Sequence, residues 1–368
     1  MTAYQIKLTT TDGQTLSFDC DEDKDVITAA QEEDIYLVAQ CHSGACGACI
    51  GKLTSGDITH TNYSKDALPS AEREQGQVLL CCTHPKQDLT INLPYAHSAV
   101  QFEKKPQREA EIISKTYLTK DTVKLDLQLL PDEDDNLILD FEPGQFMELH
   151  IPDDETPHNI EDIKRAYSIA NAPNWDGSLE FIIKLREQGK FSGFLHQKAE
   201  AGIKIKLDGA MGTFMLHDNG LRPRYFIAGG CGLASVMSML RRMAEWQEPQ
   251  PVKLFFGVWA EQDVFFEQEI ANLAKEYPQL DYQICVTQAN NAWSEDKNHY
   301  TGSVVNAFDA AMQLEDTTPD IYICGSPNLI DAVANTAKKH GIEQDALIYE
   351  RYLANEQPTG AARCDVLK

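Results

Sequence analysis

The sequence predicts a multidomain chain: a small sheet domain built around a cysteine loop, an antiparallel β-barrel, and an α/β domain with a parallel sheet. Three observations predict it. Three cysteines crowd the nine residues from Cys41 to Cys49, short strand-like runs fill residues 111–207, and strand and helix patterns alternate from residue 222 onward. At 368 residues the chain is too long for one small core.

The first unit covers residues 1–98. Residues 4–8 and 15–18 alternate apolar and polar around Gly13, a hairpin signal. Residues 25–38 read as a helix, with Asp25 as its cap and Val26, Ile27, Ala30 and Ile35 at helical spacing. The loop Cys41-His42-Ser43-Gly44-Ala45-Cys46-Gly47-Ala48-Cys49 follows, and residues 89–93 close the unit as a strand. Four residues between the first two thiols and two between the next pair is the plant-type spacing of a [2Fe–2S] cluster. Gly44 and Gly47 let the backbone wrap closely and turn its N–H groups toward sulfur. The alternatives are structural zinc, whose thiols are commonly spaced as two CxxC units, and unliganded thiols. The fourth ligand is Cys81 or Cys82. Cys81 is preferred because Val78-Leu79-Leu80 reads as a strand leading to it, and neighbouring strand residues face opposite ways.

Residues 101–108 read as a polar linker, and residues 106–221 as the barrel, with strand-like runs at 111–130, 141–151, 180–186 and 202–207. The acidic stretches 132–135 and 153–162 are expected as surface loops. Arg165-Ala166-Tyr167-Ser168 lies between Pro143-Gly144-Gln145-Phe146 and Gly189-Lys190-Phe191-Ser192. Arg165 offers charge to a pyrophosphate, Tyr167 a ring for stacking, and the 189–192 turn a helix start with free N–H groups. Together they fit a flavin dinucleotide, although each string alone also suits a packed strand or turn.

Residues 222–352 alternate strand and helix, with helical patterns at 233–246, 265–277, 304–312 and 329–340, which implies a parallel sheet covered on both faces. Between the first strand and its helix stands Gly229-Gly230-Cys231-Gly232-Leu233, the right place for a dinucleotide pyrophosphate without the GxGxxG fingerprint. Trp259-Ala260-Glu261, after the next strand, offers no cation to a 2′-phosphate, which favours NADH over NADPH. Cys324-Gly325-Ser326-Pro327 ends a later strand at the ligand edge, where Cys324 suits either a ligand contact or a small core position.

The formal net charge of −25 argues against nucleic acid and anionic membranes. Residues 1–98 carry fourteen Asp and Glu against six Lys and Arg, which suits a transient partner with a basic patch, or simple solubility. No apolar run reaches the ~18 residues of a membrane span, and ten cysteines, four of them clustered, suit a reducing compartment. A cytoplasmic monomer is expected.

Cluster loop, Arg-Ala-Tyr-Ser, Gly-Gly-Cys-Gly-Leu and Cys-Gly-Ser-Pro, in that order, resemble the three-domain iron–sulfur flavoprotein reductases of bacterial oxygenases, those of soluble methane monooxygenase above all. Val78-Leu79-Leu80-Cys81, Leu93-Pro94-Tyr95, Phe141-Glu142-Pro143-Gly144-Gln145-Phe146-Met147, Pro223-Arg224-Tyr225-Phe226 and Pro319-Asp320-Ile321-Tyr322-Ile323-Cys324-Gly325 carry the likeness up to about Tyr352. The resemblance implies a β-grasp plant-type [2Fe–2S] ferredoxin domain, an FAD-binding barrel and an NAD-binding α/β domain. It implies that Cys41, Cys46, Cys49 and Cys81 hold the cluster. Arg165, Tyr167 and Ser168 would contact FAD, with Lys184, Gly189, Lys190, Phe191 and Ser192 near its phosphates. Gly229, Gly230, Cys231, Gly232, Leu233, Gly325 and Pro327 would bind NADH, with Cys324 near the nicotinamide and Tyr352 near the flavin ring. It further implies electron flow from NADH through FAD and the cluster to an oxygenase docked on the ferredoxin domain.

The sequence departs from the family at His42, Cys231, Ser235 and Ser326, where Arg, Thr, Pro and Pro are usual, and residues 353–368 form a tail without counterpart. A reductase of an aromatic-ring dioxygenase or phenol hydroxylase, and a flavin and cluster redox-sensing module without NADH turnover, are the two other readings.

Overall fold

The computed structural model describes residues 2–103, 107–152, 163–290, 293–313, 317–343 and 346–352. The expected loop at 153–162 and the tail at 353–368 lie outside them. The chain divides into two compact units, one within 1–105 and one within 106–350, with Arg351 and Tyr352 grouped with the first.

The first unit contains β1 (Ala3–Thr9), β2 (Thr15–Asp21), α1 (Val26–Glu32), β3 (Ile50–Ser55), β4 (Ile58–His60), α2 (Ser70–Glu74), β5 (Gln77–Leu79), β6 (Thr83–Pro85) and β7 (Leu89–Asn92). Its five-stranded sheet runs β2-β1-β7-β3-β5, with β1 and β7 parallel and the other pairs antiparallel. Alternation puts Ile6, Leu8, Phe18, Leu89 and Ile91 in one core with Val26, Ile27 and Ala30 of α1. Asp25 caps α1 by accepting from the Thr28 N–H at 3.0 Å. The helix ends at Glu32, well short of 38, because Asp34 turns into the left-handed region and the Ile35 N–H returns to the Ala30 carbonyl. Gln101, expected in a linker, bridges back to Tyr36.

The second unit opens with an antiparallel sheet of β8 (Arg108–Tyr117), β9 (Thr122–Leu129), β10 (Phe146–His150), β11 (Lys164–Ser168), β12 (Ser178–Lys184) and β13 (Lys204–Met211), plus α3 (Lys190–Gln197). The order is β11-β10-β13-β8-β9-β12, and a bridge from Ile169 to Phe181 joins the two edges into a barrel. β10 starts five residues later than the apolar pattern at 141–151 suggests. Gly144 turns there at φ +100°, where a Cβ would lie 2.1 Å from the Phe214 carbonyl oxygen. The acidic loop at 132–136 is pinned by buried Arg108, which donates to the carbonyls of Leu130, Asn136 and Ile138.

β14 (Arg224–Gly229), α4 (Leu233–Glu245), β15 (Val252–Ala260), α5 (Glu267–Glu276), β16 (Leu280–Gln288), β17 (His299–Thr301), α6 (Val304–Met312), β18 (Asp320–Gly325), α7 (Pro327–Lys339) and β19 (Leu347–Arg351) complete it. The sheet order is β17-β16-β15-β14-β18-β19, with β14 to β18 parallel wherever they pair. The chain moves outward from β14 in one direction, then returns to its other side with β18. That reversal opens a crevice at the carboxyl ends of β14 and β18. α7 begins at Pro327, two residues ahead of the expected start, because Ser326 caps it by accepting from the Leu329 N–H. Among the described residues, no helix is long and apolar enough to cross a membrane.

Candidate functional site

The cysteine loop turns its backbone N–H groups toward sulfur. The N–H groups of Ser43, Ala45 and Cys46 point at the Cys41 sulfur from 3.2–3.5 Å, and those of Cys41 and Ala48 at the Cys46 sulfur from 3.4 and 3.5 Å. Such donors stabilise anionic sulfur. Gly44 and Gly47 take φ of +69° and +76°, and Gly44 has no room for a side chain: a Cβ there would lie 2.6 Å from the Cys82 sulfur.

The four thiols form two pairs. Cys49 and Cys81 lie 3.2 Å apart, and the Cys41 side chain bonds to Cys46. The bonded partner and burial hold the Cys46 and Cys49 thiols well above the ordinary thiol range. Among the described residues no group of three or more His, Cys, Asp or Glu converges on a single ion. Two separate thiol pairs fit a two-iron cluster, one pair to each iron, better than one tetrahedral ion.

Residues 80–82 are a 3₁₀ turn, not the end of a strand. The expectation that Cys81 and Cys82 face opposite ways therefore fails. Their sulfurs sit on the same side, 3.8 Å apart, and both residues are buried.

In the second unit, Arg165, Tyr167 and Ser168 come from β11, at the barrel edge. Arg165 donates to the Lys164 carbonyl at 2.7 Å. The Tyr167 ring packs 5.2 Å from Phe191, and burial holds its hydroxyl well above the ordinary phenol range. Lys184, half-exposed at the end of β12, pairs with Asp121 at 2.7 Å. Gly189 precedes the first turn of α3, and Lys190 opens the helix. Two side chains from that turn point inward. Phe191 lies in the barrel core, and the Ser192 hydroxyl accepts from the Arg186 N–H at 3.0 Å. Backbone groups of the turn, the Lys190 side chain and the Ser192 O–H, which is not used in that bond, remain for a phosphate.

Gly229, Gly230, Cys231, Gly232 and Leu233 form the turn from β14 into α4, at the crevice. A Cβ on Gly232 would lie 2.3 Å from the Cys324 carbonyl oxygen, so glycine here lets the turn touch the end of β18. Cys231 reaches the barrel. Burial pushes its thiol up to about 12, with the Thr122 hydroxyl and the Lys184 charge pulling the other way. Ser235, fully buried, donates to the Gly232 carbonyl at 3.3 Å and tightens the same turn. Gly325 and Pro327 flank the Ser326 cap of α7.

The crevice also holds a residue that the sequence reading passed over. Glu350, on β19, accepts from the Ser168 hydroxyl at 3.3 Å, and the Cys324 sulfur lies 3.9 Å from the same carboxylate oxygen. A barrel strand and two strands of the parallel sheet thus meet at one carboxylate. A signal existed in the string Tyr349-Glu350-Arg351-Tyr352, where an acid ends an apolar strand. Tyr352, half-buried, directly follows β19. Glu261, after β15, accepts from the Asn290 backbone N–H and side-chain amide.

Three family models match: the 2Fe-2S iron-sulfur cluster binding domain over residues 9–86, the oxidoreductase FAD-binding domain over 109–216 and the oxidoreductase NAD-binding domain over 226–335. Methane monooxygenase component C of Methylosinus trichosporium is 36% identical over 85% of this chain and 88% of its own. The toluate 1,2-dioxygenase electron transfer component of Pseudomonas putida is 30% identical over 94% and 97%. Among solved structures, the ferredoxin reductase in carbazole 1,9a-dioxygenase superposes with a TM-score of 0.64 at 25% identity, covering 96% of this chain and all of that one. An Amycolatopsis cytochrome P450 reductase gives 0.70 over 94% and 98%, and at 23% identity shares the fold. Thiol pairs, barrel edge and glycine turn, read with these likenesses, assign the chain to the three-domain iron–sulfur flavoprotein reductases of bacterial oxygenases, which carry electrons from NADH through FAD to a [2Fe–2S] cluster.

Proposed function

We propose that the chain is the reductase component of a soluble methane or alkane monooxygenase, and that it passes electrons to the oxygenase through its ferredoxin domain. The reading rests first on one observation: Ser168, Cys324 and Glu350 converge between barrel and parallel sheet. A hydride donor and a flavin acceptor need such a shared, water-poor crevice to lie face to face. The 36% identity to a methane monooxygenase component, against 30% to a dioxygenase component, favours the monooxygenase.

When bound, the nicotinamide and flavin supply two-electron chemistry and the cluster accepts electrons singly. The chain's own residues bind and orient. Arg165 and Tyr167 would hold the flavin, and the start of α3 with Lys184 and Lys190 would take its phosphates. The 229–233 turn holds the NADH pyrophosphate, with Gly325 and Pro327 at its side. Glu261 leaves no cation for a 2′-phosphate. Cys324 and Glu350 would lie beside the nicotinamide, with Ser168 fixing the carboxylate. Cys41 with Cys46 and Cys49 with Cys81 hold the two irons. The proposed limits are 1–98, 106–221 and 222–352, with 353–368 as a tail, in a cytoplasmic monomer.

An anaerobic NADH titration followed by visible absorbance and EPR tests this. Bleaching of the flavin band with a reduced [2Fe–2S] signal is expected. If dithionite reduces both centres and NADH neither, the reductase reading gives way to a redox-sensing module. Transfer to purified monooxygenase and dioxygenase components then distinguishes the partners.

A further inference from the structure

We propose that Cys82 is a positioning residue for the cluster: its thiol donates a hydrogen bond to the Cys81 sulfur and thereby raises the cluster's reduction potential. The inference rests on Cys81 being a ligand. Cys82 itself is a fifth thiol, outside the two ligand pairs.

The 3₁₀ turn at 80–82 brings the Cys82 sulfur to 3.8 Å from that of Cys81, within reach of a sulfur hydrogen bond, and buries both. On its other side Cys82 occupies the space left by the missing side chain of Gly44, whose Cβ would stand 2.6 Å from the Cys82 sulfur. The thiol is thereby wedged between a ligand and the cluster loop. A cysteine bound to iron has lost its proton and can only accept. The single proton between the two sulfurs therefore belongs to Cys82. Its other acceptor is the Asn62 carbonyl at 3.5 Å, a neutral oxygen that competes poorly with an anionic sulfur. Hydrogen bonds to ligand sulfur favour the reduced, more negative cluster. One such bond, at its usual net strength, changes the electron equilibrium by about two- to tenfold.

The test uses the full chain carrying Cys82→Ala, Cys82→Val or Cys82→Ser. Iron and acid-labile sulfide are assayed, and the potential is read by EPR-monitored redox titration. Full cluster content is expected in all three. The potential falls in the alanine and valine variants by the equivalent of about two- to tenfold in the electron equilibrium. It stays at or above the wild-type value in the serine variant, which keeps a donor. Should alanine fail to load, valine against serine decides, because both fill the site. An unchanged potential in the valine variant overturns the proposal. So does a fall in serine equal to that in valine, which reports packing alone. Cluster loss from every Cys82 variant with retention in Cys81→Ala would make Cys82 the ligand, and is equally fatal. A wild-type chain that loads no cluster would sink the cluster reading itself, a separate failure.

Discussion

Glu350 illustrates how one side chain ties two sheets to one reaction. It accepts from Ser168 and sits beside Cys324, so under the proposed function its removal would disturb hydride transfer and leave the metal centre alone. Glu350→Ala is expected to slow NADH-driven flavin reduction by roughly 10²-fold in stopped-flow, the scale of a single positioned polar group. Dithionite reduction of both centres should be unchanged. Gly232 has a steric role. Gly232→Ala drives a methyl group against the Cys324 carbonyl, and overpacking of this kind costs about 1–3 kcal/mol. NADH affinity should fall while flavin content holds, which equilibrium binding and absorbance would measure. His60 gives a pH dependence. Burial, helped by the charges of Arg73 and His84, lowers its pKa to about 4, while the ring bonds to the Thr83 hydroxyl. A histidine depressed in the folded state contributes stability above its unfolded pKa of ~6.5 that is lost as pH falls through the folded value. The loss is about 2 kcal/mol at pH 5. Denaturant midpoints of wild type should drop between pH 7 and pH 5, and those of His60→Gln should drop less.

At the scale of elements, α4 joins the barrel to the parallel sheet. Its Arg241 donates to the Ala170 carbonyl and to Glu180, and its Ser238 to the Asn171 carbonyl at 2.7 Å. Across the same boundary Phe214 packs against Tyr322. Arg241→Ala leaves Glu180 half-paired with Lys124, and is expected to cost the second unit about 2 kcal/mol, the net worth of a charged hydrogen bond. Separate calorimetric transitions for barrel and α/β sheet would report the uncoupling, and one unbroken transition at wild-type temperature would count against it. The element boundaries were legible where a side chain acts locally: Asp25 caps α1, and α6 spans the residues its periodicity marks. They were misread where backbone turns decide, as at Asp34, Gly144 and residues 80–82.

For the whole molecule, charge is the property that acts at a distance. A net −25, with the ferredoxin unit acidic in its own right, would draw a basic surface on the proposed oxygenase partner by long-range attraction. Electron transfer to the oxygenase should therefore slow as salt rises from 0.05 to ~0.5 M, where the screening length shortens to a few ångströms. Hydride transfer from bound NADH to the flavin, read at saturating NADH, should change far less, because it involves no encounter between two proteins. Stopped-flow rates at several ionic strengths compare the two directly.

Local chemistry was readable from order and spacing alone. Thiols at 41, 46 and 49 lie within one loop, and the glycine turn at 229–232 joins a strand to its own helix, so neighbours along the chain are neighbours in space. Tertiary structure decided what distant segments bring to those loops. Ser168 and Glu350 are 182 residues apart and meet only because β11 edges the barrel and β19 edges the parallel sheet. Cys82 meets Cys81 because a 3₁₀ turn closes where an extended strand was expected, and it fits only where Gly44, across the loop, lacks a side chain. Pattern and spacing encode what a segment prefers by itself, whereas these contacts depend on how separate segments pack, which no single stretch of sequence contains.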